Sequence, residues 1–324
     1  MSRIFYHMGD GRMGERFRKY KVLFAALYAV LLFVLWLGFQ KIKSAADLMA
    51  YAETQAEESA DEGEMVKFTG NSGIEFDIGD TVEKKLWTQT TIYPNNIPDT
   101  FVIDVCLPED YDERVSYPVV YLTDCYWRRE DYKKIRKLYQ SGKTKEFILV
   151  GIGYPDDYDF DTIRVRDLID DPDSFLSLIV NGVMPYAESN YNIDAADRTF
   201  CGASYGAYFM LYSLFQSEGI TKDVFKNYVL ASPTFQEKSY GQYLVAYEED
   251  YRNRGNTVLN ANVYMTVGAE ESFYFVSSFG DFIEQLENRD YSGLNVTSKV
   301  YEGKEHYTVW VPTLLEGLEL FLSK

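Results

Sequence analysis

Short apolar runs separated by helix-periodic segments constrain this chain more than any other feature. Residues 101–107, 117–122, 147–152, 228–231 and 263–267 are apolar nearly throughout. Runs of that length suit strands covered on both faces. Between them, Tyr132, Ile135 and Leu138 share one helical face, as do Phe175, Leu178 and Ile179, and also Phe279, Phe282, Ile283 and Leu286. The last segment sets Leu314, Leu315, Leu318, Phe321 and Leu322 on one stripe. The alternation predicts an α/β fold: a mostly parallel central sheet with helices on both faces. With 46% hydrophobic residues, a chain of 324 residues can bury the large core such a fold needs.

Charge divides the chain in two. Residues 1–43 carry eight Lys or Arg against two acids, a net +6, which leaves −24 on the remainder of a chain whose total is −18. So acidic a surface excludes nucleic acid as a partner, because phosphate binding needs a basic one. Residues 22–39 form a stretch of eighteen without charge or proline, just enough helix to cross a hydrocarbon core of about 30 Å. Arg12, Arg16, Arg18, Lys19 and Lys21 precede it, and only Lys41 and Lys43 follow closely. The positive-inside rule then keeps residues 1–21 in the cytoplasm as a basic tail and translocates the rest. A cleaved signal peptide is the rival reading, with Ala50-Tyr51-Ala52 as its cleavage site. Its apolar region would exceed the usual length of about 7–15 residues. Residues 40–66 read as an acidic stalk too poor in apolar groups to pack, and residues 67–324 as the globular domain.

The chemistry centres on Gly202-Ala203-Ser204-Tyr205-Gly206, set between an extended run (198–201) and a helix-like run (207–215). Chance can produce the bare pattern; the strand before it and the helix after it are what make it a nucleophile elbow. Small residues two before and two after let the chain turn tightly. A serine hydroxyl needs a base to take its proton, and the chain has two histidines, His7 in the tail and His306 near the C-terminus. His306 is therefore the expected base. The acid belongs just after the strand at 263–267, where Gly268-Ala269-Glu270-Glu271 offers two carboxylates. Glu271 is the first choice and Glu270 the second, giving the chain order serine, acid, histidine. The N–H of Tyr205, opening the helix, is an expected oxyanion donor, and a second should come from the loop at 123–129.

Cys106, Cys125 and Cys201 lie in or beside strand-like runs and read as small buried apolar residues. No cysteine pair has ligand spacing and one histidine lies outside the tail, so neither a metal nor a cofactor is implied.

These landmarks resemble the esterase D-like branch of the α/β-hydrolases, a group with siderophore-trilactone, feruloyl and acetyl-xylan esterases and mycolyltransferases. The resemblance runs over about residues 86–322. It rests on Val105-Cys106-Leu107-Pro108, Tyr121-Leu122-Thr123-Asp124, Arg164-Val165-Arg166-Asp167, the elbow, Val267-Gly268-Ala269-Glu270-Glu271 and Tyr301-Glu302-Gly303-Lys304-Glu305-His306 with Trp310. It implies the α/β-hydrolase fold and the N–H groups of Tyr126 and Tyr205 as oxyanion donors. Where the family carries Gly after the Asp, this chain has Cys125, a side chain expected to narrow the site or alter the loop.

Trp127, Tyr205 and Trp310 are expected to border the site, with the Tyr-rich insertion 236–258 as a cover. Arg128 and Arg129 read either as receivers of an anionic group or as a solvated turn, and Arg164 and Arg166 as ion pairs near the sheet edge. The expected function is a membrane-anchored serine hydrolase of carboxylic esters, whether aryl, glycan-acyl or siderophore-like. Acyl transfer to a cell-envelope sugar or lipid, or an inactive surface binding module of the same fold, are the alternatives.

Overall fold

The computed structural model describes residues 65–324 apart from 157, 159 and 238–241. The basic tail, the apolar segment 22–39 and the stalk up to residue 64 lie outside the described residues. Among the described residues no helix is long and apolar enough to cross a membrane.

Each apolar run is a strand. In chain order the strands are β1 (Val66–Thr69), β2 (Glu75–Glu83), β3 (Thr88–Pro94), β4 (Phe101–Cys106), β5 (Tyr117–Thr123), β6 (Ile148–Gly153), β7 (Ile193–Ala203) and β8 (Asn227–Ala231). A separate two-stranded ribbon, β9 (Gln236–Glu237) with β10 (Gln242–Tyr243), precedes β11 (Val258–Gly268) and β12 (Ser292–Tyr301). Ten strands form one sheet in the order β1-β2-β3-β4-β6-β5-β7-β8-β11-β12. The six from β6 to β12 are parallel neighbours. The expected parallel sheet is thus extended by an antiparallel wing, β1 to β4, joined to it by the β4–β6 pairing.

The helices are α1 (Cys125–Arg128), α2 (Tyr132–Gln140), α3 (Phe160–Val165), α4 (Pro172–Ser177), α5 (Met184–Asn190), α6 (Tyr205–Leu214), α7 (Leu244–Asn253), α8 (Phe273–Arg289) and α9 (Trp310–Phe321). Strand residues alternate between two cores, as successive side chains must. Val119, Tyr121, Phe200, Leu230, Val263 and Met265 face the core covered by α4, α5, α6 and α8. Val120, Leu122, Cys201, Val229 and Tyr264 face the one covered by α2 and α9. Both faces of these strands are therefore covered, and that is why they read as unbroken apolar runs.

The chain leaves β5 for β6 on one side of it and returns to β7 on the other. A sheet that reverses its strand order in this way opens a crevice at the carboxyl ends of the strands flanking the switch. Thr123 and Ala203 end those strands. Asp124 and Ser204 follow at once.

Candidate active site

Ser204 sits between β7 and α6 with φ 56° and ψ −120°, a conformation costly for a side chain with a Cβ. Its N–H donates to Ala231 O at 2.9 Å and its carbonyl accepts from Tyr208 at 2.9 Å, so the turn is pinned on both sides. The glycines permit it by having no side chain. A Cβ on Gly202 would lie 2.7 Å from the Gly206 backbone, and one on Gly206 would lie 2.7 Å from Thr123 Oγ1. Helix α6 is buried on nearly every side, so the elbow rests on a rigid floor.

Glu271 and His306 come from neighbouring loops after β11 and β12. Ala269 N–H donates to Tyr301 O at 2.9 Å and Glu270 N–H to Lys304 O at 3.0 Å, lacing the loops together. Across them His306 Nδ1 lies 2.7 Å from Glu271 Oε2. The Glu271 side chain is 1% exposed, whereas Glu270 is exposed. Glu271 Oε1 accepts from Gly268 N–H at 2.8 Å and from the Ser232 hydroxyl. Burial pushes the Glu271 pKa upward, but the hydrogen bonds from His306, Ser232 and Gly268 outweigh it and hold the carboxyl below its ordinary value. An ionised carboxylate only accepts, so Nδ1 carries the proton that faces it, and in the neutral ring the lone pair then lies on Nε2. The Phe275 ring packs 4.9 Å from the imidazole.

Ser204 and His306 line one cleft of about 520 Å³ together with Trp127, Arg128, Arg164, Tyr205, Tyr307 and Trp310. A serine on a strained turn and an imidazole oriented by a buried carboxylate can, in one cleft, perform nucleophilic acyl chemistry. The sequence model of the putative esterase family matches residues 95–321. The chain belongs to that family. No curated protein sequence matches it. Its fold is similar to that of the BES protein from Bacillus cereus, with TM-score 0.65 and 22% identity over 76% of this chain and 98% of that one. It is similar also to the siderophore hydrolase EstA from Aspergillus nidulans, with TM-score 0.58 and 18% identity over 68% and 89% of the two chains. An IroE-like serine hydrolase from Shewanella oneidensis gives TM-score 0.62 and 19% identity over 72% and 80%.

In this family member Trp127 and Trp310 both reach the cleft, in different ways. Trp127 is 43% exposed, whereas Trp310 is 2% exposed and donates from Nε1 to Asp131 at 3.1 Å. Tyr307, which was not expected at the site, is 90% exposed at its mouth. Tyr126 is not among the residues lining the cleft; its ring lies 6.2 Å from that of Trp127. Cys125 does not narrow the site. It is fully buried and turned into the sheet, where Gly151 and Gly153 leave room for it; a Cβ on Gly153 would meet its Sγ at 2.9 Å. The described side chains of the insertion pack elsewhere than the cleft: Tyr247 meets Tyr208 and Tyr212, and Tyr251 meets Phe215.

Arg164 and Arg166 form the expected ion pairs, the first of them in an unexpected place. Arg164 is buried beside the site, not at the sheet edge, and its Nε and Nη2 donate to Asp124 at 2.7 and 2.9 Å. Arg166 pairs with Asp99 and Asp167. Arg129 pairs with the buried Asp104 and with Asp156, so it is no solvated turn. Ser232 escaped sequence reasoning altogether. The only signal is its place directly after β8, the strand between β7, which leads to Ser204, and β11, which leads to Glu271.

Proposed function

We propose that the chain is a serine hydrolase of carboxylic esters that works through an acyl-enzyme on Ser204. One observation carries the reading: the elbow serine shares a cleft with an imidazole whose Nδ1 is held at 2.7 Å by a buried carboxylate. Ser204 Oγ attacks the ester carbonyl as Nε2 of His306 takes its proton. The imidazolium then protonates the departing alkoxide, and water repeats the sequence on the acyl-enzyme. Glu271 orients the ring and stabilises its charged form. The N–H of Tyr205, at the positive end of α6, donates to the oxyanion, with that of Tyr126 as the second donor.

The aromatic walls of the cleft suit a flat acyl or alcohol group. Fold neighbours named as siderophore hydrolases support a siderophore-like ester; aryl and glycan-acyl esters have the same reacting bond. The length of the 22–39 segment and the charges before it support a single-pass anchor, with residues 1–21 in the cytoplasm and the catalytic domain outside. Protease added to intact cells then removes the domain, and its protection contradicts that topology.

Rapid mixing with 4-nitrophenyl acetate tests the chemistry. The expected result is a burst of nitrophenolate equal to the enzyme present, with turnover lost by about 10⁴-fold or more in Ser204→Ala. Turnover that survives this substitution contradicts the proposal.

A further inference from the structure

The cleft holds two guanidinium groups in different states. Arg164 is committed to Asp124 through two hydrogen bonds and stacks near the rings of Trp127 and Tyr205. Arg128 is not committed. Its guanidinium lies 4.4 Å from the centroid of the Trp310 ring, and among the described residues it makes no ion pair and donates no hydrogen bond. The acids whose charges reach it are Asp124 and Asp131. The first is held by Arg164; the second accepts from Lys134 at 2.6 Å and from Trp310 Nε1 at 3.1 Å.

A guanidinium stays charged even where it is partly desolvated. Burial lowers the Arg128 pKa: the half-buried group has lost part of its water without gaining a fixed carboxylate in return. Its platform is rigid, because Trp310 is buried and tied to Asp131. Long-range steering cannot serve an anion here, since the chain beyond residue 43 carries −24. Selection of an anion has to be local.

We propose that Arg128 is the specificity determinant of this cleft: it takes a carboxylate on the substrate, so the preferred esters carry a free carboxylate on their acyl or alcohol part. A planar fork of donors above an indole presents two parallel N–H groups to such a carboxylate. The assignment rests on the hydrolase reading of the same cleft, and the experiment separates the two.

Two ester pairs set a free carboxylate against its methyl ester: 4-acetoxybenzoate against methyl 4-acetoxybenzoate, read by acetate release, and the mono-4-nitrophenyl ester of glutaric acid against methyl 4-nitrophenyl glutarate, read by nitrophenolate release. The full chain should favour the charged member of at least one pair by about tenfold in kcat/KM, the scale of one hydrogen bond to a charged group. Arg128→Met should bring that ratio close to one. Arg128→Lys, a point charge without the fork, should keep part of it and serves where the Met variant does not fold. Equal rates for both members of both pairs, or a ratio unchanged in the folded variant, overturns the assignment. Calorimetry with 4-hydroxybenzoate against 4-hydroxybenzamide reads Arg128 without turnover. Preferential, Arg128-dependent binding of the benzoate by a chain that cleaves no ester sinks the hydrolase reading alone. Equal binding of the two sinks the assignment of Arg128.

Discussion

Removing one hydroxyl tests how far Glu271 depends on its neighbours. Ser232 is buried, and its Oγ donates to the Glu271 oxygen that also accepts from Gly268 N–H at 2.8 Å. The other oxygen holds His306 Nδ1. Together these donors reverse the upward push of burial and keep the Glu271 pKa low. A folded-state pKa depressed in this way adds stability above the ordinary carboxylate range, and that stability is lost as pH falls through the folded value. A hydrogen bond to a charged group contributes about 1.5–3 kcal/mol. Ser232→Ala removes one such bond of three, raises the Glu271 pKa and weakens its hold on the imidazolium. Because Gly268 still holds the same oxygen, the lower end of that range applies, and kcat/KM for 4-nitrophenyl acetate should fall about tenfold. Ser232 has φ 45°, so Ser232→Gly loses the hydroxyl while easing the backbone. Equal losses in the two variants assign the effect to the hydrogen bond. In a Glu271→Gln background the serine substitution should cost little, since the charge it supports is gone. Losses under about twofold in both serine variants, or a full loss in the Gln background, would refute the reasoning.

Other outcomes follow from the same geometry. Asp124→Asn leaves the buried Arg164 charge uncompensated and should lower unfolding free energy by about 3–5 kcal/mol in urea titration, with Arg164→Met restoring part of it. Gly202→Ala drives a Cβ to 2.7 Å from the Gly206 backbone, which cannot yield as a side chain would; the expected loss is about 1–3 kcal/mol or more, with ester turnover falling alongside. Burial raises the Asp167 pKa to about 6 from 3.8. Its folded state therefore holds a proton longer than the unfolded one, and its contribution to stability falls as pH rises across that window. Asp167→Asn should flatten the slope of stability against pH there; an unchanged slope counts against the assignment.

The parts of the fold legible in sequence are those where burial is two-sided. Strands β4 to β8 and β11 sit between two covered, largely apolar layers, so Val119 to Leu122 or Val263 to Val267 carry their own label. The wing beyond β4 did not announce itself. Strand β2 is buried at Phe76 but mostly half-exposed or exposed, and β1 is nearly all exposed. Strands that are open to solvent, as these are, need no apolar run. Ser204, Glu271 and His306 were readable as candidates because each is carried by fixed spacing within a strand–turn–helix or strand–loop unit, and the structure sets Ser204 and His306 in one cleft with Glu271 on the imidazole. Ser232 and the Asp124–Arg164 pair were not. Each acts across the sheet, Ser232 on a residue 39 positions away and Arg164 on one 40 away, and only strand order brings them together. Cys125 shows the converse. Its departure from the family's Gly looked like an obstruction, yet the room for it lies at Gly151 and Gly153 on the neighbouring strand.

The central claim is that Ser204 is a nucleophile made reactive by His306. Peptide mapping by mass spectrometry after exposure to a fluorophosphonate tests it most directly. The adduct should fall on Ser204 alone, vanish in Ser204→Ala and form at least about 10³-fold more slowly in His306→Ala. Folded wild-type chain that takes up no label at Ser204, or labelling that is as fast without His306, would contradict it.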